Sequence, residues 1–247
     1  MKTIKLITLG FLLLGGLVQG ADFKQANAAY AAGKYSEAAK SYEEILKADG
    51  PRISVLRNVG SAYYQMGENG KAILAFERAL VLTPRDPDLL ANLKLAQDQV
   101  AVYPVAESSA WQSFLERYST RAWSKIALVT AILLPFAAFA WCFRKGKQRI
   151  GIGMFAVANL TMLALAFAGL DARSGEYKRG IIIGKPATVR ISPFEKADDR
   201  GTLGEGREVT LGQENSGYFW VTADGGTQEG WVAADEVVPV VPARKMH

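Results

Sequence analysis

Residues able to do covalent or metal chemistry are scarce in this chain. It has one histidine, His247, and one cysteine, Cys142, which sits inside an apolar run. Nucleophilic catalysis of the Ser/His/Asp or Cys/His kind needs a base within hydrogen-bond reach of its nucleophile. Structural zinc takes four ligands, mostly Cys and His, more than this sequence holds. The acidic pairs Asp198-Asp199 and Asp235-Glu236 fall in predicted turns and strand ends, where solvated surface is their ordinary place. The glycine-rich stretches lack the Lys-Ser/Thr ending of a phosphate-binding loop. The sequence therefore predicts a protein that is not an enzyme and uses no cofactor and no metal. The chemistry left to it is recognition by amides, guanidinium groups and aromatic rings.

The elements that must position such groups begin with a repeat. Residues 22–100 carry a 34-residue period: Gly33 recurs as Gly67, Ala38 as Ala72, Tyr42 as Phe76 and Leu46 as Leu80. The pattern resembles the tetratricopeptide repeat (TPR) family, in which each repeat is a pair of helices. Gly60, Tyr63, Gly67, Ala72, Phe76, Ala79 and Pro84 fall at family positions in the second copy. Glycine suits the turn that ends a first helix, the alanines let paired helices approach, and Tyr42 and Phe76 fill the space between repeats. Asp86 to Val100 reads as one amphipathic helix, with Leu89, Leu90, Leu93 and Ala96 on one face, capping the stack.

The resemblance implies a concave face that binds proteins or peptides. The matching positions are Asn27, Tyr30, Arg57, Asn58, Ser61, Tyr64 and Asn92. Asn27 and Asn58 match two asparagines of a clamp that some family members use for a terminal carboxylate. Phe23 and Asp88 replace that clamp's lysines. Two repeats and a cap are fewer than the usual three.

From Gly180 onward the pattern changes to short runs rich in β-formers: 181–183, 187–191, 208–211, 218–221 and 230–232, separated by turn residues. Five short strands predict a small barrel. The order Thr188-Val189-Arg190, Gly204-Glu205-Gly206, the aromatic strand at 218–221 and Gly230-Trp231-Val232 resembles the bacterial SH3-like family. Tyr218, Trp220 and Trp231 are its candidate ligand-binding aromatics. By period two, residues 218 and 220 share one face and 219 and 221 the other, and the sequence leaves open which of the two is core.

Between these regions lie two charge-free runs, Ile126 to Phe143 and Ile150 to Leu170. At about 1.5 Å per residue each reaches the roughly 30 Å of a hydrocarbon core. Trp123 and Trp141 sit near the ends of the first as interface rings do, and Pro135 predicts a kink. The loop between carries Arg144, Lys145, Lys147 and Arg149 without an acid, which marks the cytoplasmic side. Trp111, Phe114, Leu115 and Tyr118 recur at helical spacing just before the first span and predict an interfacial helix. At the start, Lys2 and Lys5 precede an apolar run from Leu6 to Val18, too short to span, followed by small residues around Gly20. That is the pattern of a cleaved signal peptide.

Charge follows the same division. The chain is +5 overall, yet residues 22–100 hold 10 basic and 10 acidic side chains and residues 173–247 hold 10 and 11. The excess sits at the leader and around the spans, where topology uses it. No globular part carries a basic patch of the kind that nucleic acid requires.

The expected division is a signal peptide over 1–20, a TPR domain with capping helix over 21–100, and a linker with the interfacial helix over 101–122. Spans over 123–143 and 150–170 follow, joined by a cytoplasmic loop over 144–149, then a linker over 171–179 and the SH3-like domain over 180–241. The predicted fold class is a multidomain α plus β membrane protein: a TPR α-hairpin solenoid, a two-helix transmembrane hairpin and a small SH3-like β-barrel. The protein is expected in the bacterial inner membrane with both globular domains periplasmic. The whole order resembles the BatE-like proteins of aerotolerance operons. That resemblance implies a scaffold in an envelope complex linked to stress tolerance, with von Willebrand A-domain membrane proteins and a MoxR-type ATPase as partners. The alternative reading is a receptor for cell-wall peptides.

Overall fold

The computed structural model describes residues 22–102, 109–184 and 186–242. The expected leader and His247 lie outside these described residues.

The first part is a helical stack. Helices α1 (22–31), α2 (Tyr35–Asp49), α3 (Ile53–Gln65), α4 (Asn69–Leu82) and α5 (Pro87–Gln99) follow one another with short turns. Gly33 and Gly67 both adopt φ +75°, the left-handed conformation that a Cβ disfavours, so each ends its helix and starts the return. Ala38 and Ala72 are fully buried, and Tyr42 and Phe76 fill the spaces between helices, as the repeat pattern predicts. The capping helix starts at Pro87, with Asp86 as its N-cap: the carboxylate accepts from the backbone N–H groups of Asp88 and Leu89, both at 3.1 Å.

A helical hairpin comes next. The short helix α6 (Ala110–Leu115) buries only Leu115 and leaves Trp111, Phe114 and Tyr118 exposed. Helices α7 (Thr120–Phe143) and α8 (Lys147–Ala172) pack along each other, and each is long and apolar enough to cross a bilayer by length and composition. Their outer surfaces are apolar, with Leu128, Phe136, Phe139, Met154 and Phe167 all exposed. Both helices run beyond the predicted spans. The connection shrinks to 144–146, because Lys147 already begins α8. Helix α7 continues through Pro135.

Trp123 departs from its expected place. Instead of facing outward, it is buried against α8, and its indole N–H donates to the Leu115 carbonyl at 2.9 Å. Gly169 makes room for it: a Cβ there would lie 2.3 Å from the indole. Trp141, exposed at the other end, carries the Arg149 guanidinium over its ring at 5.6 Å. Cys142 is also exposed on the hairpin surface.

The last part is an antiparallel sheet of seven strands rather than five: β1 (Arg179–Ile182), β2 (Ala187–Arg190), β3 (Asp199–Leu203), β4 (Glu208–Asn215), β5 (Tyr218–Ala223), β6 (Gln228–Ala233) and β7 (Val237–Pro239). Their order is β3-β2-β6-β5-β4-β1-β7. The two unpredicted strands are the edges. β3 buries only Leu203 of its five residues, so it has no apolar alternation to read, and β7 is three residues ending in proline.

The sheet packs on α4. Ile181 of β1 and Val240 beyond β7 belong to the same buried cluster as Ile73, Phe76, Leu80 and Leu89 of the helical stack. Arg78 donates from Nε to the Val240 carbonyl at 3.1 Å and from Nη2 to the Pro239 carbonyl at 3.0 Å. The Gly70 N–H donates to Glu205 Oε1 at 2.6 Å, and Arg179 Nη2 to Glu77 Oε2 at 2.7 Å. Pro239 lacks an N–H and its carbonyl is taken by Arg78, which blunts β7 as an edge for further pairing.

Candidate functional site

The predicted concave residues do gather on the first helices of the pairs. Asn27 and Tyr30 lie on α1, Arg57, Asn58, Ser61 and Tyr64 on α3, and Asn92 on α5. Spacings of three and four residues place those of α3 on one side of the helix. The polar joints to the sheet start from α4, at Gly70, Glu77 and Arg78. Those polar joints do not use the row on α1, α3 and α5, although Tyr64 of that row packs on the core that the stack shares with Ile181 and Val240.

Several of these groups are engaged within the chain. The Tyr42 hydroxyl donates to Asn27 Oδ1 at 2.6 Å, and Asn58 Nδ2 donates to the same oxygen at 3.0 Å and to the Tyr42 oxygen at 3.3 Å. This triangle ties α1, α2 and α3 together. The two asparagines thus fasten helices to each other, and Phe23, standing where the clamp would have a lysine, packs on Tyr42 with ring centroids 6.0 Å apart. Burial pushes the Tyr42 hydroxyl up, and the Asn58 bond only partly offsets it, so the phenol remains a donor at neutral pH. Tyr30 is raised in the same sense by burial and by Tyr35, whose ring lies 5.2 Å away.

Arg57 pairs with Asp86 at 2.7 Å, linking α3 to the cap of α5, while its Nε is buried without a hydrogen-bond partner. Ser61 Oγ donates back to the Arg57 carbonyl at 3.0 Å, and Tyr64 packs on the core. Replacing Asn58 with Ala removes two bonds and leaves the Asn27 amide short of a partner. The expected cost is about 1–3 kcal/mol of stability, read as a lowered unfolding midpoint. An unchanged midpoint would show that Asn58 does not fasten the helices.

In the sheet the alternation left open by the sequence resolves clearly. Val221 is fully buried and Phe219 packs on the sheet core, whereas Tyr218 and Trp220 occupy the other face. Trp231 joins them across β5–β6, opposite Trp220, with ring centroids 5.6 Å apart at 80°. Trp231 is only 7% exposed, so its expected role as an open groove residue is corrected. It is the floor against which Trp220 stands, and Tyr218 and Trp220 present the accessible surface.

Two groups of residues escaped the sequence reading. Arg190 faces Trp231 across β2–β6 and holds its guanidinium 5.9 Å from the Tyr218 ring centroid. It was visible as part of the Thr188-Val189-Arg190 run, but nothing local told which face it takes. Glu77, Arg78 and Arg179 form the joint between stack and sheet. Burial alone would pull the Arg179 guanidinium down, yet Glu77 and Glu208 beside it hold it above its ordinary value. The signal for this joint was the Glu77-Arg78 pair interrupting a helix otherwise apolar from Ala72 to Leu82.

Comparison with known proteins agrees with the helical part. Residues 23–87 match the tetratricopeptide repeat family. The photosystem I assembly protein Ycf3 of Prochlorococcus marinus is 32% identical over 80 residues, covering 31% of this chain and 46% of the relative. Ycf3 of a Synechococcus species is 31% identical over 93 residues, covering 36% and 53%. The chain spans about half the length of the curated relatives it matches. The helical stack is thus a tetratricopeptide repeat domain, a module class that makes protein–protein contacts.

Proposed function

We propose that this chain is a non-catalytic adaptor, held in the bacterial inner membrane by α7 and α8, with its repeat domain and an SH3-like sheet domain both on the periplasmic side. The observation that carries this reading is the joint on α4. Because the sheet packs on the repeats through Ile181, Val240 and the Glu77–Arg179 pair, the two ends of the hairpin return to the same body. A hairpin with two crossings does the same, and its connection carries cations that favour the cytoplasmic side. The row on α1, α3 and α5 is then the docking face for a partner. The relatives are named for assembly of photosystem I, which supports an assembly role for the same kind of module here. The full order of parts favours a Bat-type envelope complex, with von Willebrand A-domain membrane proteins and a MoxR-type ATPase as partners in stress tolerance.

Single cysteines test the orientation. In a Cys142→Ser background, Ser36→Cys and Thr227→Cys, both exposed positions, react with a membrane-impermeant thiol reagent in intact spheroplasts, and Lys145→Cys does not. The reverse pattern overturns the reading. Co-purification of A-domain proteins from membranes, weakened by charge reversal on the α3 face, tests the partner.

A further inference from the structure

We propose that the outer face of the sheet domain recognises a peptide carboxylate: Arg190 grips the free carboxylate, and Tyr218 and Trp220, backed by Trp231, wall the apolar part of the peptide. This rests on the proposed SH3-like reading of the sheet domain and adds a ligand to it. The placement follows from register. Arg190 stands opposite Trp231, and Trp231 opposite Trp220, so three adjacent strands contribute one row on one face. Tyr218 lies two residues along β5 on the same face and receives the guanidinium over its ring. The opposite face, with Val189, Val221 and Val232, fills the core, so the row is not needed to close it.

Arg190 is an unfinished cation. Its Nε is withdrawn from solvent and has no hydrogen-bond partner. None of the ion pairs among the described residues includes it. Asp199, opposite it on β3, and Glu229, two residues from Trp231, are exposed carboxylates at the margins of the row. A partly desolvated guanidinium without an acceptor is costly, and its planar fork matches a carboxylate in two parallel bonds. The flanking rings offer flat apolar surface for the residue that carries the carboxylate. The marginal acids, and the slight acidic excess of residues 173–247, disfavour polyanions such as nucleic acid. They leave a singly charged, partly apolar ligand, as a peptide terminus is. Wall peptides and protein C-termini share that chemistry.

The full chain in detergent is titrated calorimetrically with N-acetyl-Leu-Ala-Ala bearing a free C-terminus, and with its C-terminal amide. The acid is expected to bind at least about tenfold tighter than the amide, a difference of ~1.4 kcal/mol. Arg190→Gln abolishes that preference, and Arg190→Lys, which keeps charge but not the fork, retains part of it. Lys40→Ala, at an exposed position on α2 outside both binding faces, leaves it unchanged. Tyr218→Leu weakens both ligands and serves if Arg190→Gln fails to fold. Solubilised wall peptides that compete with the tripeptide identify the wall as source, and tripeptide binding without such competition identifies protein termini. Equal binding of acid and amide, a preference that survives Arg190→Gln, or no binding of tripeptide and wall peptides alike overturns the proposal.

Discussion

Phe76→Ala lowers the stability of the protein by about 3–5 kcal/mol, the usual cost of removing a buried aromatic ring. Phe76 is 1% exposed in α4, in a cluster with Leu56, Ile73, Leu89 and Ile181. Its neighbours on the helix, Ala72 and Ala79, are already small and fully buried, so they cannot swing in to fill the space. Gly60 of α3 sits so close that a Cβ there would lie 2.6 Å from the ring. That closeness supplies a control. Gly60→Ala alone is destabilising because it collides with Phe76, but in the Phe76→Ala background the added methyl enters the vacated space and recovers part of the loss. Chemical denaturation of all four proteins in detergent reads the coupling. Because Ile181 shares the cluster, Phe76→Ala should also speed proteolysis of the sheet domain. A cost below about 1 kcal/mol with no effect on the sheet would mean that Phe76 does not anchor a shared core.

Arg179→Ala is expected to cost about 3–5 kcal/mol, for a different reason. The change leaves Glu77, 8% exposed, without the cation that meets it at 2.7 Å. Glu208, 3.3 Å from the same guanidinium, loses its partner too. Burial already pushes the Glu208 carboxyl above its ordinary value even with Arg179 present. A carboxyl raised in the folded state contributes stability at low pH and loses it as pH rises through that value. The variant should therefore regain stability on going from neutral to mildly acidic pH, while the parent gains less. Replacing the pair together, as Glu77→Leu with Arg179→Met, should be close to neutral, since the cost lies in the stranded charge more than in the lost attraction. A double-mutant cycle decides. If the double variant is as unstable as Arg179→Ala, the loss is one of packing and the ionic account fails.

These two residues show what the sequence can and cannot tell. Phe76 was legible as a repeat residue because Tyr42 precedes it by one period, and the pattern foretold burial between helices. Nothing local foretold that Ile181 would share its core, since an apolar face announces that it is buried but not against what. Arg179 had no pattern at all, because its partner Glu77 is 102 positions away. The same limit explains the edge strands. β2 and the first half of β4 alternate between buried and more exposed residues and β5 and β6 are rich in β-formers, so all four were readable, whereas β3 is almost wholly exposed and β7 is held by β1 and Arg78. The residues expected on the concave face fall on α1, α3 and α5, but the hydrogen bonds and ion pair that engage Asn27, Asn58 and Arg57 within the chain are a matter of distance that spacing does not reveal. Trp231 was expected as an open groove aromatic and is buried instead. Its burial comes from Trp220 and Arg190 on the flanking strands, neither of which its own strand could announce.

The joint on α4 also sets an order of events during synthesis. The chain leaves the repeats after α5, runs out and back through α7 and α8, and only then supplies Ile181 and Val240 to a core whose first members were made long before. Arg173, donating to the Glu116 carbonyl at 3.1 Å, draws the outgoing and returning segments together at the mouth of the excursion. The globular body is therefore discontinuous in sequence, and the hairpin is an insertion within it. Until the insertion has doubled back, Ile73 and Leu89 stand uncovered and Glu77 lacks its cation. A molecule whose hairpin fails to double back leaves that part of the shared core without Ile181 and Val240.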